Sequence, residues 1–196
     1  MCAVADNNYC RAHIPHLLNY VKYFVYLIHD SNGFIIFVSS NKNKGNMMYL
    51  EFIEKVKEFE GYRTKAYRCP SGVFSIGYGH THGVTPEMVI TPYDADMFLK
   101  YDIQLVRCQL QSLHPNLLVC SGLYYALVDF IFNVGITKYK RSTLKKVVDN
   151  IKDYFSLSEN DIASLSVQFN LWCYSKGKKL RGLEKRRIWE VSLLNE

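Results

Sequence analysis

Strand-like sequence is confined to one early stretch of this chain, and helical patterns occupy most of the residues after it. The stretch runs from residue 60 to residue 81, EGYRTKAYRCPSGVFSIGYGHT, and is rich in glycine, aromatic and small polar residues. Aromatic and β-branched residues on both sides of a Cys-Pro-Ser-Gly turn predict short antiparallel strands. Strands that occur once, followed by a run of helices, indicate an α+β domain that is mostly helical with a small sheet lobe.

The helical patterns have recognisable beginnings and ends. Apolar residues at three-to-four spacing from Tyr49 onwards predict a first helix, which Gly61 ends. Thr91, Pro92 and Asp94 match a capping box with proline at the first helical position, so they open the second helix. Four further helices are predicted: an apolar, core-forming one from Ser121 to Gly135, one from Ser142 to about Asn150, one from Ser158 through Trp172, and a basic terminal one after Gly182.

Residues 1–48 differ in pattern from the rest. They contain two apolar clusters, residues 17–28 and 34–38, that a polar segment separates. The longer cluster falls short of the about 18–20 apolar residues that span a bilayer, so no stable membrane span is expected. A secretory signal with a cleavage site is not recognisable either.

A polar, glycine-containing linker and the pair Met47–Met48 follow these clusters. Three interpretations of residues 1–48 stay open: a weak signal-anchor, an appended helix or hairpin, or translated upstream sequence with the true start at Met47 or Met48. We expect an N-terminal extension over residues 1–48 and a self-sufficient domain over residues 49–196.

The net charge of +6 favours anionic partners, which include nucleic acid, anionic membranes and acidic cell-wall polymers. No run of five or more Lys or Arg occurs, and the basic residues do not interleave with aromatic residues as a base-stacking platform requires. We therefore predict no nucleic-acid partner, and we expect a monomer.

The six cysteines show neither CxxC pairs nor zinc-ligand spacing. Cys108, Cys120 and Cys173 fall within apolar helical patterns and are expected to be core thiols. His80 and His82 lie two residues apart, but a third ligand is missing from the pattern. The sequence predicts neither a metal nor a cofactor, and it favours synthesis in a reducing compartment.

Glu60 stands on the last turn of the first predicted helix. The negative end of a helix disfavours a charged carboxylate, so this position suits a proton donor better than a stabilising acid. Glycosidic bond cleavage needs such an acid, together with groups that place water on the opposite face of the sugar. Cys69 lies nine positions after Glu60, and Ser75 lies six positions after Cys69. Both could face Glu60 across a groove.

The run EG…AY…GV.SIGYGHT, with an acid, a thiol and a hydroxyl at these spacings, resembles the phage-type lysozymes of glycoside hydrolase family 24. The resemblance covers about Tyr49 to Glu190. Further matching motifs follow in the family's order: ITPYDADMFLKYD at 90–102, ALVDFIFNVG at 126–135, ST at 142–143 and W.Y..GK.L.GLEKRR..E at 172–190. The resemblance implies a two-lobed lysozyme-like fold and cleavage of the glycan strand of bacterial peptidoglycan.

By position, the resemblance implies that Glu60 is the catalytic acid. Cys69 matches a position that is usually Asp and sometimes Cys in the family, and Ser75 replaces the family's Thr. Asn133 matches an amide that lines the groove and could bind an N-acetyl group. The family's arginine pair matches Arg186 and Arg187, one of which is expected to hold Glu60 or the chain end, and His80 with Asp102 matches a structural ion pair.

Cys69 leaves the reaction open between two outcomes. A thiol is mostly neutral near about pH 7, so it is a weaker base than a carboxylate. Water oriented by Ser75 gives hydrolysis, whereas attack by the sugar's own 6-hydroxyl gives a lytic transglycosylase. We expect hydrolysis, with the enzyme held in the host cytoplasm until it is released to the wall.

Two other classes of function remain as alternatives. Cys69, His80 and Asp102 could form the triad of a thiol peptidase or amidase, although the turn around Cys69 is not the helix start that lowers a thiol pKa. The chain could also be a peptidoglycan-binding module with a weakened site.

Overall fold

The computed structural model describes residues 26–29, 35–38, 44–69, 72–117 and 121–195. The chain divides into two units, residues 1–50 and 51–196. In the first unit, β1 (Tyr26–His29) pairs antiparallel with β2 (Ile35–Val38). The predicted boundary at residue 48 stays a prediction, because helix α1 (Lys44–Glu60) runs across it. Cys2, Cys10 and Cys120 lie outside the described residues.

The predicted early strands form one antiparallel hairpin. Strand β3 (Arg63–Arg68) pairs with β4 (Phe74–Gly77), and the register shifts between Arg63 and Tyr67. Gly61 ends α1 at a φ of +70°, in the left-handed region that glycine adopts readily. The chain therefore turns sharply from α1 into the hairpin, which places the end of the helix beside the sheet lobe.

Helices make up most of the second unit, which confirms the α+β class with a helical majority. They are α2 (Pro92–Leu113), α3 (Gly122–Val134), α4 (Ile136–Lys140), α5 (Thr143–Asp149), α6 (Glu159–Asn170) and α7 (Arg181–Ser192), followed by a 3-10 turn over Leu193–Asn195. The predicted capping box of α2 is present, because the Thr91 hydroxyl accepts from the Asp94 N–H while the Asp94 carboxylate accepts from the Thr91 N–H.

A short helix and a short two-stranded hairpin were not predicted from the sequence. Helix α4 has five residues, too few to show a helical period. Strands β5 (Tyr174–Ser175) and β6 (Lys178–Lys179) have two residues each, and Lys176 and Gly177 form the turn between them at positive φ. Helix α6 also ends before Trp172, which the sequence pattern had included in it.

Helix α3 is the centre of the core, as its apolar sequence predicts. Every residue from Gly122 to Ile131 is buried. The ring of Phe130 packs edge-on against the rings of Phe169 and Trp172, with centroids 5.5 and 5.2 Å apart. A polar side chain on this helix therefore sits in an environment from which water is excluded.

The core thiols are placed differently from one another. Cys173 is buried, but it follows α6 and is not part of a helix. Cys108 lies on α2 and is half-buried. No helix in the described part of the chain has the length and apolar character needed to cross a bilayer.

Candidate active site

A cavity of about 420 Å³ opens between the segment after β4 and helices α2 and α3. Small-molecule sites occupy roughly 300–1,000 Å³, so its size suits a segment of a polymer or a small ligand. Its lining consists of Glu60, Tyr78, Gly79, Thr81, Asp102, Leu105, Val106, Gln109, Phe132 and Asn133. The structure thus brings Glu60 and Asn133, two of the four predicted site residues, to one cavity.

Glu60 is the last residue of α1, and its side chain is 23 % exposed. Gly79 lies against it: a Cβ at position 79 would stand 3.7 Å from Glu60 Oε2, and φ is +92° there. Because glycine carries no side chain, one face of the carboxyl stays accessible from the cavity. Such an acid is anchored by its helix and still reachable by a ligand.

Arg186 holds this acid from behind. Its Nη1 donates to Glu60 Oε1 at 2.5 Å. The same guanidinium donates to Asp129 on α3 through two bonds, Nε to Oδ2 at 2.7 Å and Nη2 to Oδ1 at 2.8 Å. Of the two arginines that the resemblance offered, Arg186 is therefore the one that contacts Glu60.

Asp129 makes this arrangement suitable for proton exchange. Asp129 is fully buried and Arg186 is 3 % exposed, so the two form a desolvated, bidentate ion pair. Burial disfavours the charge on Arg186, but Asp129 and Glu60 together raise its pKa above the ordinary value. Since Asp129 alone already neutralises Arg186, a change in the protonation of Glu60 does not leave a buried guanidinium without a counter-charge.

Arg187 points to a different set of partners. Its Nη2 donates to Glu190 Oε1 at 2.5 Å and to Asn133 Oδ1 at 3.2 Å, and its guanidinium lies over the Phe130 ring at 5.0 Å. The amide oxygen of Asn133 is therefore engaged. A hydrogen bond from Asn133 to a ligand in the cavity would come from its amide nitrogen.

Cys69 and Ser75 lie together on the hairpin and are not among the residues that line the cavity. Ser75 is 4 % exposed and pairs with Tyr67 across the strands. Cys69 is half-buried just after β3, and its N–H donates to the Val73 carbonyl at 2.9 Å. The structure thus keeps the thiol and the hydroxyl on one element, and their catalytic roles stay predictions.

The predicted ion pair between His80 and Asp102 is present, with Nδ1 and Oδ2 2.8 Å apart. His80 is 6 % exposed, and its ring stacks on Phe98 at 4.5 Å. The hydrogen bond to Asp102 raises the pKa of His80 more than burial lowers it. This pair ties the segment after β4 to α2, so it fixes one wall of the cavity.

The raised pKa of His80 predicts a pH-dependent effect of Asp102→Asn. The stabilisation is fully present below about pH 6.5, the ordinary value, and is lost as pH rises through the folded value. We expect Asp102→Asn to lower the free energy of unfolding by about 2 kcal/mol below that pH, and by progressively less above it. Urea unfolding across this pH range measures the effect.

The control for this prediction is the same substitution in a His80→Gln background, where its pH dependence should disappear. A loss of stability that is equal at every pH would contradict a charged His80 as the partner of Asp102.

Asp129 and Glu190 were not among the residues that the sequence predicted for the site. Asp129 is the one acid in the apolar run of α3. A lone buried acid in such a helix needs a counter-charge. Arg186 and Arg187, which are neighbours in the terminal helix, were candidates for it. That signal was present in the sequence, but it needed the packing of α3 against α7 to be interpreted.

Comparisons with known proteins agree on one relationship. The family model described as phage lysozyme matches residues 57–190. An endolysin of Acyrthosiphon pisum secondary endosymbiont phage 1 is 37% identical over 142 residues, which are 70% of this chain and 90% of that protein. An endolysin of Bacillus phage PZA is 33% identical over 147 residues, which are 73% of this chain and 53% of that protein, so this chain spans about half of its length.

Among solved structures, the muramidase domain of SpmX from Asticaccaulis excentricus is similar. The TM-score is 0.63 at 29% sequence identity, and the alignment covers 74% of this chain and 95% of that domain.

Proposed function

Because this chain belongs to the phage lysozyme family, we propose that it hydrolyses the β-1,4 bond between N-acetylmuramic acid and N-acetylglucosamine in bacterial peptidoglycan. The observation that carries the proposal is the position of Glu60. It stands at the end of α1, lines a cavity of about 420 Å³ and is held by Arg186. This is the environment that an acid needs to reach a bound sugar from a fixed place.

Glu60 is the proton donor to the leaving oxygen. Protonation of this oxygen allows the glycosidic bond to break toward an oxocarbenium-like transition state. Arg186, itself held by two bonds to Asp129, restricts the orientation of the Glu60 carboxyl. Fixed orientation contributes to rate because the acid does not have to be ordered again in each reaction.

Ser75 and Cys69 manage the incoming water in this proposal. A glycosidase that inverts configuration usually activates that water with a second carboxylate. Here the matching position is a thiol, which is largely neutral near about pH 7. Hydrogen bonding by the Ser75 hydroxyl therefore has to orient the water, and Cys69 supplies at most a partial base.

The glycan is placed by the rest of the cavity. The Asn133 amide nitrogen can donate to the carbonyl of an N-acetyl group. Tyr78 and Phe132, which also line the cavity, offer apolar surfaces for sugar rings. The net charge of +6 attracts the anionic wall over long range, and this attraction weakens as salt is added.

The products distinguish hydrolysis from transglycosylation on the same bond. We expect digestion of purified peptidoglycan in ¹⁸O-labelled water to yield reducing muramic ends, with one ¹⁸O atom per cleaved bond. Anhydro ends without label, seen by mass spectrometry, would instead assign the chain to the lytic transglycosylases. The preparation is the full chain, which is expected to act after release from the host cytoplasm.

Cys69→Asp is the informative comparison in this digestion, because it restores the carboxylate that is usual at this position. It should keep labelled reducing ends and raise the rate near neutral pH. A change of product type in this variant would show that Cys69 decides between the two reactions.

A further inference from the structure

A third carboxyl lies directly behind the pair formed by Arg186 and Asp129. Glu190 on α7 is fully buried, as are its neighbours Asp129 and Arg187. Glu190 Oε1 accepts from Arg187, whereas Oε2 has no hydrogen-bond partner among the described residues when the carboxyl is ionised. Besides burial, the charge of Asp129 and a side-chain hydrogen bond with Asp129 raise the pKa of Glu190.

Two carboxylates cannot both be ionised cheaply at such a contact in the core. Asp129 already accepts two N–H bonds from Arg186, which require it to be charged. The proton therefore belongs on Glu190, where it gives Oε2 a partner by donating to Asp129.

The surroundings of Glu190 support a retained proton. Burial, and next the charge of Asp129, raise the pKa of Glu190 well above its ordinary value, against the smaller opposing effects of Arg187 and Arg186. Helix α6 and the 3-10 turn pack against α7 and contribute buried apolar residues, Leu165 and Phe169 from α6 and Leu193 and Leu194 from the turn. Among the described residues, the charged groups that act on Glu190 are Asp129 on α3 and the two arginines on its own helix.

We propose that Glu190 is a positioning residue whose protonated carboxyl donates a hydrogen bond to Asp129, so that the chain Glu190–Asp129–Arg186–Glu60 holds the acid in place. Glu190 touches no substrate in this arrangement. It fixes Asp129, which fixes Arg186, which in turn orients Glu60. The inference rests on the proposed role of Glu60 as proton donor.

Glu190→Gln tests the retained proton without reference to activity. Glutamine copies the protonated acid, since its carbonyl can accept from Arg187 and its amide can donate to Asp129. In the unfolded wild type, Glu190 loses its proton above about pH 4.5, its ordinary value, so folding takes up a proton above that pH. The stabilisation by Glu190 is therefore fully present below that pH and is lost as pH rises through the folded value.

Urea unfolding of the full chain between pH 4 and pH 8 measures this difference. As pH rises, we expect the folding equilibrium constant of Glu190→Gln to increase relative to that of wild type by about tenfold per pH unit. This increase should stop at the pKa of Glu190 in the folded protein. Glu184→Gln on the same helix, where the side chain is 40 % exposed and pairs with Lys179, should show no such slope. A variant that instead loses stability as pH rises would mean that Glu190 is ionised and paired with Arg187, and a flat difference would equally overturn the proposal.

Activity tests the link from Glu190 to Glu60. Glu190→Gln should retain the wild-type pH profile of peptidoglycan cleavage. Glu190→Ala removes the donor to Asp129 and the acceptor for Arg187, so we expect about a 10²-fold lower rate and a shifted pH profile in folded protein, verified by circular dichroism. A purely structural residue would lower the melting temperature and leave the pH profile of the folded enzyme unmoved.

Folded Glu190→Ala with the rate and pH profile of wild type would overturn the positioning role. If alanine prevents folding, the pH slope of Glu190→Gln still decides whether the proton is retained, and a shifted pH profile of the folded Glu190→Gln enzyme would overturn the proposal. Failure of the proposed function itself gives a different result, because Glu60→Gln would then remain active while the stability slope at Glu190 persists.

Discussion

Glu60→Gln is expected to lower the rate of peptidoglycan cleavage by about 10³-fold, the typical contribution of a positioned general acid. Glutamine has the shape of the acid, and its carbonyl can still accept from Arg186, so the cavity and the fold should persist. It has no proton to give to the leaving oxygen. Zymograms and turbidity loss of permeabilised cells measure the rate, and circular dichroism verifies folding.

The matched control is Glu58→Gln on the same helix. The Glu58 side chain is 66 % exposed and pairs with Lys55 at the surface, so its substitution should leave activity unchanged. A folded Glu60→Gln protein that still degrades peptidoglycan at the wild-type rate would end the assignment of Glu60 as the proton donor. It would also return the thiol alternative, in which Cys69 is the nucleophile, to consideration.

Asp129→Asn is expected to have the largest effect on stability, about 3–5 kcal/mol, because it leaves buried Arg186 without its bidentate counter-charge. The asparagine amide also points a donor at a guanidinium that can only donate. Arg186 also loses the two bonds that fix it, so it no longer orients Glu60 and activity should fall as well. Urea unfolding at pH 7 measures the loss of stability.

A double substitution separates the ion pair from its surroundings. Replacing Asp129 with leucine and Arg186 with methionine removes both charges and fills similar volume, which for buried pairs is often close to neutral. We expect this double variant to be more stable than either single variant and to be poorly active, since Glu60 has lost its support. Additive losses of stability would mean that the two residues do not act as a pair.

Local sequence signals predicted much of the fold. Thr91 and Asp94 mark the start of α2, and Gly61 marks the end of α1. These signals can be identified in the sequence because helix caps and left-handed glycines act on backbone only a few residues away. Helix α4 and the β5–β6 hairpin were missed for the same reason, since elements this short carry no period. Of the four predicted site residues, Glu60 and Asn133 line the cavity and Cys69 and Ser75 lie on the neighbouring hairpin, and their roles stay predictions.

The sequence by itself determined that an acid ends a helix, that a polar hairpin follows it and that one later helix is apolar enough to be buried. Only the tertiary structure decided which charges meet. Glu60 and Arg186 are 126 positions apart, and Asp129 and Arg186 are 57 apart. Neighbouring residues on a helix point about 100° apart, so Arg186 and Arg187 were equivalent in the sequence until α7 packed against α3. That packing turned Arg186 toward Asp129 on α3 and Glu60 on α1, because a buried charge is stable only where a partner of opposite charge lies. Arg187 bonds instead to Glu190 within its own helix.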